Sequence, residues 1–120
     1  MRSVSARSDD LTELLVAARA AYGSGDWHAS YTAFERAGGT DPLSVDDLDA
    51  MATAAWRLGR GKEAVRLGEL VFVRLTRSDP DAAAMKAAEL GLAWLMRGDL
   101  NIGQGWMSRA RRLLADAPDS

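Results

Sequence analysis

Residues 54–65 read Ala-Ala-Trp-Arg-Leu-Gly-Arg-Gly-Lys-Glu-Ala-Val, a glycine turn set between two alanine-rich stretches of helical periodicity. Similar turns occur at Gly25-Asp26-Trp27 and at Gly98-Asp99-Leu100. Gly25 and Gly59 are 34 residues apart, and Gly98 follows 39 residues after Gly59. A glycine can end a helix in the left-handed conformation, and a polar residue after it can cap the next helix. Turns at this spacing predict a repeat of helical hairpins.

Apolar residues recur at steps of three and four on both sides of each turn, as Leu11, Leu14 and Ala18 do in the first stretch. This periodicity is that of amphipathic helices, and strand signals are absent from the sequence. Ser44 starts a segment that approximates a capping box, with Asp47 in place of the usual glutamate. The pattern predicts six helices, over about 11–22, 27–37, 44–56, 62–77, 79–97 and 99–115.

The predicted fold is therefore all-α, with six antiparallel helices in three hairpins. The domain is expected to cover residues 11–117, with repeats over about 11–44, 45–80 and 81–117. Residues 1–10 are polar and lack an apolar segment, so they are predicted to form a disordered amino-terminal arm. Residues 118–120 are expected to be a short tail.

The composition excludes several classes of function. The 120 residues carry 15 basic and 17 acidic side chains, a formal charge of −2, which does not favour a nucleic-acid backbone or an anionic membrane. The absence of cysteine excludes disulfides and thiolate chemistry. The polar amino terminus is not a signal peptide, and no apolar run reaches the ~18–20 residues of a membrane span. A cytoplasmic location is expected.

Three units of the sequence carry a common set of small residues, and the first also has the aromatic ones. The first has Ala18, Gly25, Trp27 and Phe34 in the register of the tetratricopeptide repeat, and Pro42 stands at the position of its closing proline. The second and third units keep the small residues, which are Ala52, Gly59 and Ala64, then Gly91, Gly98, Gly103 and Ala110. Over roughly residues 11–115 the chain thus resembles this repeat family. The resemblance implies three hairpins stacked as a right-handed superhelix, with close helix crossings at Ala18, Ala52 and Gly91.

In that family, the first helix of each hairpin lines a concave surface that binds partner segments. The resemblance implies that the partner-binding residues here are Leu15, Arg19, Tyr22, Asp49, Thr53, Trp56, Leu92 and Leu95. Met85 and Ala88 fall at further groove positions on the fifth helix. The paired lysine and asparagine with which some members clamp a peptide carboxylate are missing from this chain. Binding of a carboxylate by that mechanism is not expected.

A narrower resemblance rests on three segments, which are residues 54–59 with the longer helix after them, residues 90–94 and residues 106–114. Together they are similar to the repeat region of actinobacterial LuxR-type transcription regulators. In those proteins the repeats are regulatory, and a carboxy-terminal helix-turn-helix binds DNA. This chain ends at Ser120 without such a domain, so we expect either a fragment of a regulator or a stand-alone relative.

No catalytic or metal site is predicted. His28 is the single histidine, and no cluster of carboxylates surrounds it in the sequence. The segment Gly59-Arg60-Gly61-Lys62 lacks the upstream glycine and the hydroxyl residue of a phosphate-binding loop. Arg109, Arg111 and Arg112 are expected to complement the negative end of the last helix rather than to bind nucleic acid.

Two functions remain open at this point. The first is a non-catalytic protein-interaction module, the regulatory or adaptor part of a transcription regulator, whose partner is another protein or a further domain of the same polypeptide. The second is a sensor domain that encloses a small apolar ligand. No cofactor is expected in either case. The sixth helix carries Trp106, Met107 and Leu114 on a wide apolar arc, which predicts a homodimer or a further repeat at that edge.

Overall fold

The computed structural model describes residues 4–38 and 43–116, with side chains from Asp10 onwards. All regular structure in these residues is helical, which confirms the all-α prediction. The elements are α1 (Val4–Gly23), α2 (Trp27–Arg36), α3 (Val45–Arg57), α4 (Gly61–Ser78), α5 (Pro80–Met96) and α6 (Leu100–Asp116). The bounds of α2 to α6 agree with the predicted ones to within a residue or two. The predicted turn through residues 39–42 and the tail at 118–120 lie outside the described residues.

The predicted start of the first helix is wrong. The helix begins at Val4 rather than near Leu11, so that residues 4–10 are helical and do not belong to a disordered arm. Residues 4–10 contain neither glycine nor proline, and nothing in them breaks a helix that continues into the apolar stretch after Leu11. Serine and aspartate, which occupy positions 8–10, can cap a helix, but they are also tolerated within one. Residues 1–3 of the predicted arm lie outside the described part.

The three hairpin turns have one geometry. Gly25, Gly59 and Gly98 adopt φ values of 79°, 76° and 91°, in the left-handed region that favours glycine. In each turn the residue after the glycine donates its amide hydrogen to a carbonyl five residues back, on Ala21, Ala55 and Trp94 respectively. Each glycine amide donates in turn to a carbonyl three residues back, on Tyr22, Trp56 and Leu95. This is the Schellman arrangement, formed three times by equivalent residues of the chain.

Side-chain caps begin four of the helices. The carboxylates of Asp26, Asp79 and Asp99 each accept an amide hydrogen three residues further on, at 3.1 Å, and Ser44 Oγ does the same for Asp47. Pro80 occupies the first turn of α5, where its missing amide hydrogen costs nothing. Capping of this kind is worth roughly 1 kcal/mol for each helix. In two of the three hairpin turns, at Gly25 and Gly98, the residue after the left-handed glycine also caps the next helix.

The chain divides into two compact units, Met1–Gly68 and Glu69–Ser120, and the boundary falls within α4. In the first unit α1 packs on α2, α2 packs on α3, and α1 also touches α3. The core contains Phe34, Leu48 and Met51, each at most 2% exposed. Ala18 is fully buried at the crossing of α1 and α2, where its carbonyl accepts a hydrogen bond of 2.9 Å from Ser30 Oγ. Ala52 is only half-buried, because Ala54 and Ala55 occupy the buried face of α3 instead.

In the second unit α5 and α6 cross at two glycines. A Cβ atom on Gly91 would lie 2.9 Å from Met107 Cγ and 3.1 Å from the carbonyl oxygen of Gly103. A Cβ atom on Gly103 would lie 2.6 Å from Leu95 Cγ and 3.0 Å from the carbonyl oxygen of Gly91. The two helix backbones are thus in direct contact, and the predicted close crossing at Gly91 is confirmed.

Trp106 is part of the core of the second unit. Its side chain is 3% exposed, and its ring lies edge-on to Phe72 of α4 at a centroid distance of 5.5 Å. The guanidinium of Arg109 lies 4.6 Å from the ring centroid of Trp106, and its Nη1 donates to Glu69 Oε1 at 2.7 Å. Trp106 is therefore not on an uncovered edge, which removes the main reason for predicting a homodimer through α6. Leu114 remains 63% exposed.

Candidate functional site

The eight predicted partner-binding residues lie on the first helix of each hairpin. Six of them are in the first unit, on α1 and α3, and two are on α5 in the second. Arg19 and Leu92 are exposed. The other six are half-buried, and they are Leu15, Tyr22, Asp49, Thr53, Trp56 and Leu95. Whether they bind a partner stays a prediction.

Arg19 holds α1 to α3. Its Nε and Nη2 atoms donate to Asp47 Oδ1 and Oδ2 at 2.9 and 2.8 Å, a two-point ion pair in which the Asp47 side chain is 6% exposed. The hydrogen bonds from Arg19 hold the pKa of Asp47 below its usual value, and Ser44 adds to this effect. From the sequence, Asp47 was interpreted as the acidic residue of a capping box at the start of a helix. The structure gives it a buried position and a partner 28 residues away.

Aromatic side chains cluster where α1 ends and α2 begins. Tyr22 and Trp27 meet edge to face at a centroid distance of 5.5 Å, and the guanidinium of Arg57 lies 5.6 Å from the Trp27 ring. Trp27 is half-buried. Trp56 is the neighbour of Arg57 at the end of α3 and is half-buried as well. A half-buried tryptophan is held by its surroundings and still presents apolar surface to solvent.

Leu95 does not face the same way as Leu92. Its Cγ and Cδ2 atoms are the closest neighbours of a Cβ built on Gly103, so the Leu95 side chain fills the crossing of α5 and α6. Leu92 is 54% exposed. Residues three apart on a helix differ by about 60° around its axis, and here that rotation brings Leu95 into the crossing while Leu92 stays exposed. The prediction that Leu95 contributes to a groove floor therefore conflicts with the contacts of its side chain.

A stripe of exposed apolar side chains runs along α5. Met85, Leu92 and Met96 are 73%, 54% and 81% exposed, and we call these three residues the α5 stripe. Their spacing of seven and then four residues places them in one row on one helix face. The buried residues of α5 lie on the far side of this helix, and they are Ala83, Ala84, Ala87, Gly91 and Trp94. Helix α5 thus has two apolar faces, of which the second is exposed in the part of the chain that the structure describes.

Met96 was missing from the predicted site because the transferred repeat positions stop one residue before it. The signal that would have found it is the four-residue step from Leu92. Glu89 lies between Met85 and Leu92 on the same face, is 71% exposed and pairs with Lys86 at 3.3 Å. The α5 stripe is therefore apolar with one acidic side chain within it.

Tyr31, Glu63 and Arg66 form the most strongly perturbed titratable group in the described residues. Tyr31 is buried, and its hydroxyl donates to Glu63 Oε2 at 2.7 Å, while Arg66 makes two hydrogen bonds of 2.9 Å to the same carboxylate. Hydrogen bonds from Arg66 and then Tyr31 lower the pKa of Glu63 to about 2, and burial raises the pKa of Tyr31. Both pKa values move away from neutrality, whereas an acid–base catalyst needs a pKa near neutrality. The hydrogen bond from Tyr31 to Glu63 instead links α2 to the first turn of α4.

This cluster predicts a pH dependence of stability. The pKa of Glu63 is about 2 in the folded chain and lies near 4.5 for the ordinary side chain. A lowered folded-state pKa stabilises the fold above the unfolded value, and the contribution is lost as pH falls through the folded one. We expect Glu63→Gln to lower the free energy of unfolding at pH 7 and to lose that difference from the parent between about pH 4.5 and 2. Acid titrations followed by circular dichroism measure it, with the exposed Glu13→Gln as the control. If Glu63→Gln and Glu13→Gln changed the stability equally, Glu63 would not be the source of this pH dependence.

The described residues were also searched for a metal site, a membrane-spanning helix and a ligand pocket. No group of three or more histidine, cysteine, aspartate or glutamate residues within residues 4–38 and 43–116 could hold a metal ion. No helix in that part of the chain is long and apolar enough to cross a membrane. A depression at the turn between α5 and α6 is open to solvent and is lined by Arg97, Gly98, Asp99, Leu100 and Asn101. Its largely polar lining does not suit an apolar ligand.

The comparisons with known proteins give no family. No protein-family model matches the chain, and a search of the curated proteins finds no significant relative.

Proposed function

We propose that the chain is a non-catalytic protein-interaction module of the tetratricopeptide type, in which the three hairpins stack as a right-handed superhelix. Three identical Schellman turns support the repeat, because they recur at the positions where the sequence repeats. The glycine crossing of α5 and α6 and the buried Ala18 support the register. The partner is another protein or a further domain of the same polypeptide.

The observation that carries this proposal is the α5 stripe. Exposed apolar surface is costly in water, and burying one such side chain fully is worth about 1.5–3 kcal/mol. Single exposed apolar residues are common, but Met85, Leu92 and Met96 share one face of one helix. Methionine is also overrepresented at surfaces that accept varied partners, because its side chain is flexible and polarisable.

On the first unit, the faces of α1 and α3 offer a second set of apolar anchors. Leu15, Tyr22 and Trp56 are half-buried, so part of each side chain is open to a partner while the rest is held in place. Large aromatic groups that are held in this way lose little conformational entropy on binding. An amphipathic helix or an extended segment would pack on these anchors, and nearby charges would mainly set its orientation.

Within this class, we place the chain beside the regulatory repeat regions of LuxR-type transcription regulators. The support for this narrower proposal is the similarity of residues 54–59, 90–94 and 106–114. A bound partner would then change the activity of a DNA-binding domain elsewhere in the assembly. Sequencing the parent gene tests the idea, because a regulator would encode a helix-turn-helix domain with this segment.

The interaction itself is tested with peptides selected by display on the immobilised chain. We expect Trp56→Ala to weaken the selected peptides by about 2 kcal/mol and Leu92→Gln by about 1–2 kcal/mol, since both remove apolar contact area. Titration by fluorescence anisotropy measures the dissociation constants. The matched control is Arg112→Ala, because Arg112 is exposed on α6 and lies outside both surfaces.

Two outcomes would count against this proposal. A selection that yields no binder, or binders that ignore both Trp56 and Leu92, would leave the surfaces without a function. A large fall in melting temperature of Trp56→Ala would show that Trp56 is a core residue rather than an anchor. A calorimetric melt of each variant is therefore run beside its titration.

A further inference from the structure

We propose that Met85 and Met96 are oxidation sites, and that conversion of their thioethers to sulfoxides switches off binding at the α5 stripe. The assignment of the two sites stands on exposure alone. The regulatory consequence rests on the function proposed above.

The described methionines differ widely in their exposure to solvent. Met85 and Met96 are 73% and 81% exposed, whereas Met51 is 2% exposed. Met107 is half-buried, and its Cγ lies in the contact between α6 and Gly91. Met1 lies outside the described residues. An oxidant that reaches the surface of α5 therefore meets two methionine side chains, while Met51 is shielded by the core.

No thiol competes for the oxidant. The sequence contains no cysteine, so methionine is the only sulfur that the chain offers. An exposed, low-pKa thiolate is a preferred target of oxidation in proteins that contain one. Here the exposed thioethers of α5 are the softest nucleophiles within reach.

The reaction balances with hydrogen peroxide as the oxidant. A lone pair of the thioether sulfur attacks one peroxide oxygen, the S–O bond forms and the O–O bond breaks. The sulfur is oxidised by two electrons, and the peroxide is reduced to one molecule of water once the departing hydroxide takes the remaining proton. The product, methionine sulfoxide, is returned to methionine by methionine sulfoxide reductases, which makes the change reversible.

Oxidation changes the chemistry of the α5 stripe without touching its support. Each sulfoxide places a strong hydrogen-bond acceptor where a partner would otherwise bury apolar surface, and leaving that acceptor unpaired is costly. Glu89 already lies between Met85 and Leu92, so two sulfoxides leave Leu92 as the single apolar member of the row. The buried face of α5 contains neither methionine, so helix content and melting temperature should hardly change.

The first experiment treats the folded full chain with dilute hydrogen peroxide and follows each methionine by peptide mapping and mass spectrometry. We expect Met85 and Met96 to be oxidised at least about ten times faster than Met51. In denaturant the rates of all three should converge. Equal rates in the folded chain would overturn the assignment of the sites.

The second experiment uses a fluorescein-labelled peptide selected on the unoxidised chain. Peroxide treatment should weaken its binding at least about tenfold, and sulfoxide reductases should restore it. The double variant Met85→Leu with Met96→Leu keeps the apolar surface and should bind normally before and after peroxide. The double variant Met85→Gln with Met96→Gln should bind weakly without any oxidant.

These variants separate the possible results. Loss of binding by the peroxide-treated leucine variant would place the sensitive group elsewhere and overturn the switch. If no peptide can be selected at all, the regulatory part falls together with the proposed function, while the oxidation rates still decide the sites. Unchanged binding by the oxidised parent, with both sulfoxides verified by mass, would overturn the switch and leave the interaction itself intact.

Discussion

Gly103→Leu is expected to lower the free energy of unfolding by about 3 kcal/mol, because the new side chain has no space at the crossing of α5 and α6. Its Cβ alone would lie 2.6 Å from Leu95 Cγ and 3.0 Å from the carbonyl oxygen of Gly91. Leu95 can rotate away in part, but the Gly91 carbonyl belongs to the backbone of α5. The two helices must therefore separate, and the contacts around Trp94 and Met107 loosen with them.

The matched control is the same change two residues later. Nothing lies within 4 Å of a Cβ built on Gly105, which is exposed on α6. Gly105→Leu should raise stability by about 0.5–1 kcal/mol, because glycine inside a helix is costly relative to leucine. Urea unfolding followed by circular dichroism compares the two variants with the parent. A Gly103→Leu chain as stable as the parent would show that the helices do not meet at these glycines.

The turns could be predicted from the sequence because their chemistry is local. At Gly25 and Gly98, a left-handed glycine followed by a capping aspartate determines the end of one helix and the start of the next within a few positions. The same logic failed at the amino terminus. Serine and aspartate at residues 8–10 can cap a helix or lie within one, and the local sequence does not distinguish the two.

Contacts between distant residues could not be predicted in the same way. Arg109 was expected to complement the end of its own helix, but it binds Glu69 and lies over Trp106. Asp47 is buried because Arg19 of another helix pairs with it. A helical pattern shows which residues share a face. Whether those residues form ion pairs, are buried or stay exposed depends on the helix that packs against them.

The α5 stripe likewise could not be predicted in full from the sequence. Leu92 and Leu95 were assigned to one groove from repeat positions alone. In the structure Leu95 packs on Gly103, while Leu92 and the unassigned Met96 are exposed. The register of the repeat placed both leucines on α5. Which side of α5 stays exposed depends on where α6 packs against it, and the two glycines at the crossing determine that contact.

Trp106→Ala is expected to produce the largest loss of stability among the variants considered, about 3–5 kcal/mol. The indole is 3% exposed, so the truncation leaves a cavity where a large side chain was packed. Phe72 loses an edge-to-face partner at 5.5 Å, and Arg109 loses the ring that lies 4.6 Å from its guanidinium. Trp106→Phe keeps an aromatic ring at this position and should cost much less. Calorimetric melts of both variants measure the difference.

The same pair of variants distinguishes core packing from a dimer contact at α6. If Trp106 packs within its own chain, the melting temperature of the parent and the loss in Trp106→Ala should not depend on protein concentration. A dimer contact would make both rise with concentration, because association stabilises the folded state by mass action. The fluorescence difference between the parent and Trp106→Phe isolates the emission of this indole, which should be blue-shifted in dilute solution. A red-shifted emission that turns blue only at high concentration would contradict the packing on Phe72 and would restore α6 as an association surface.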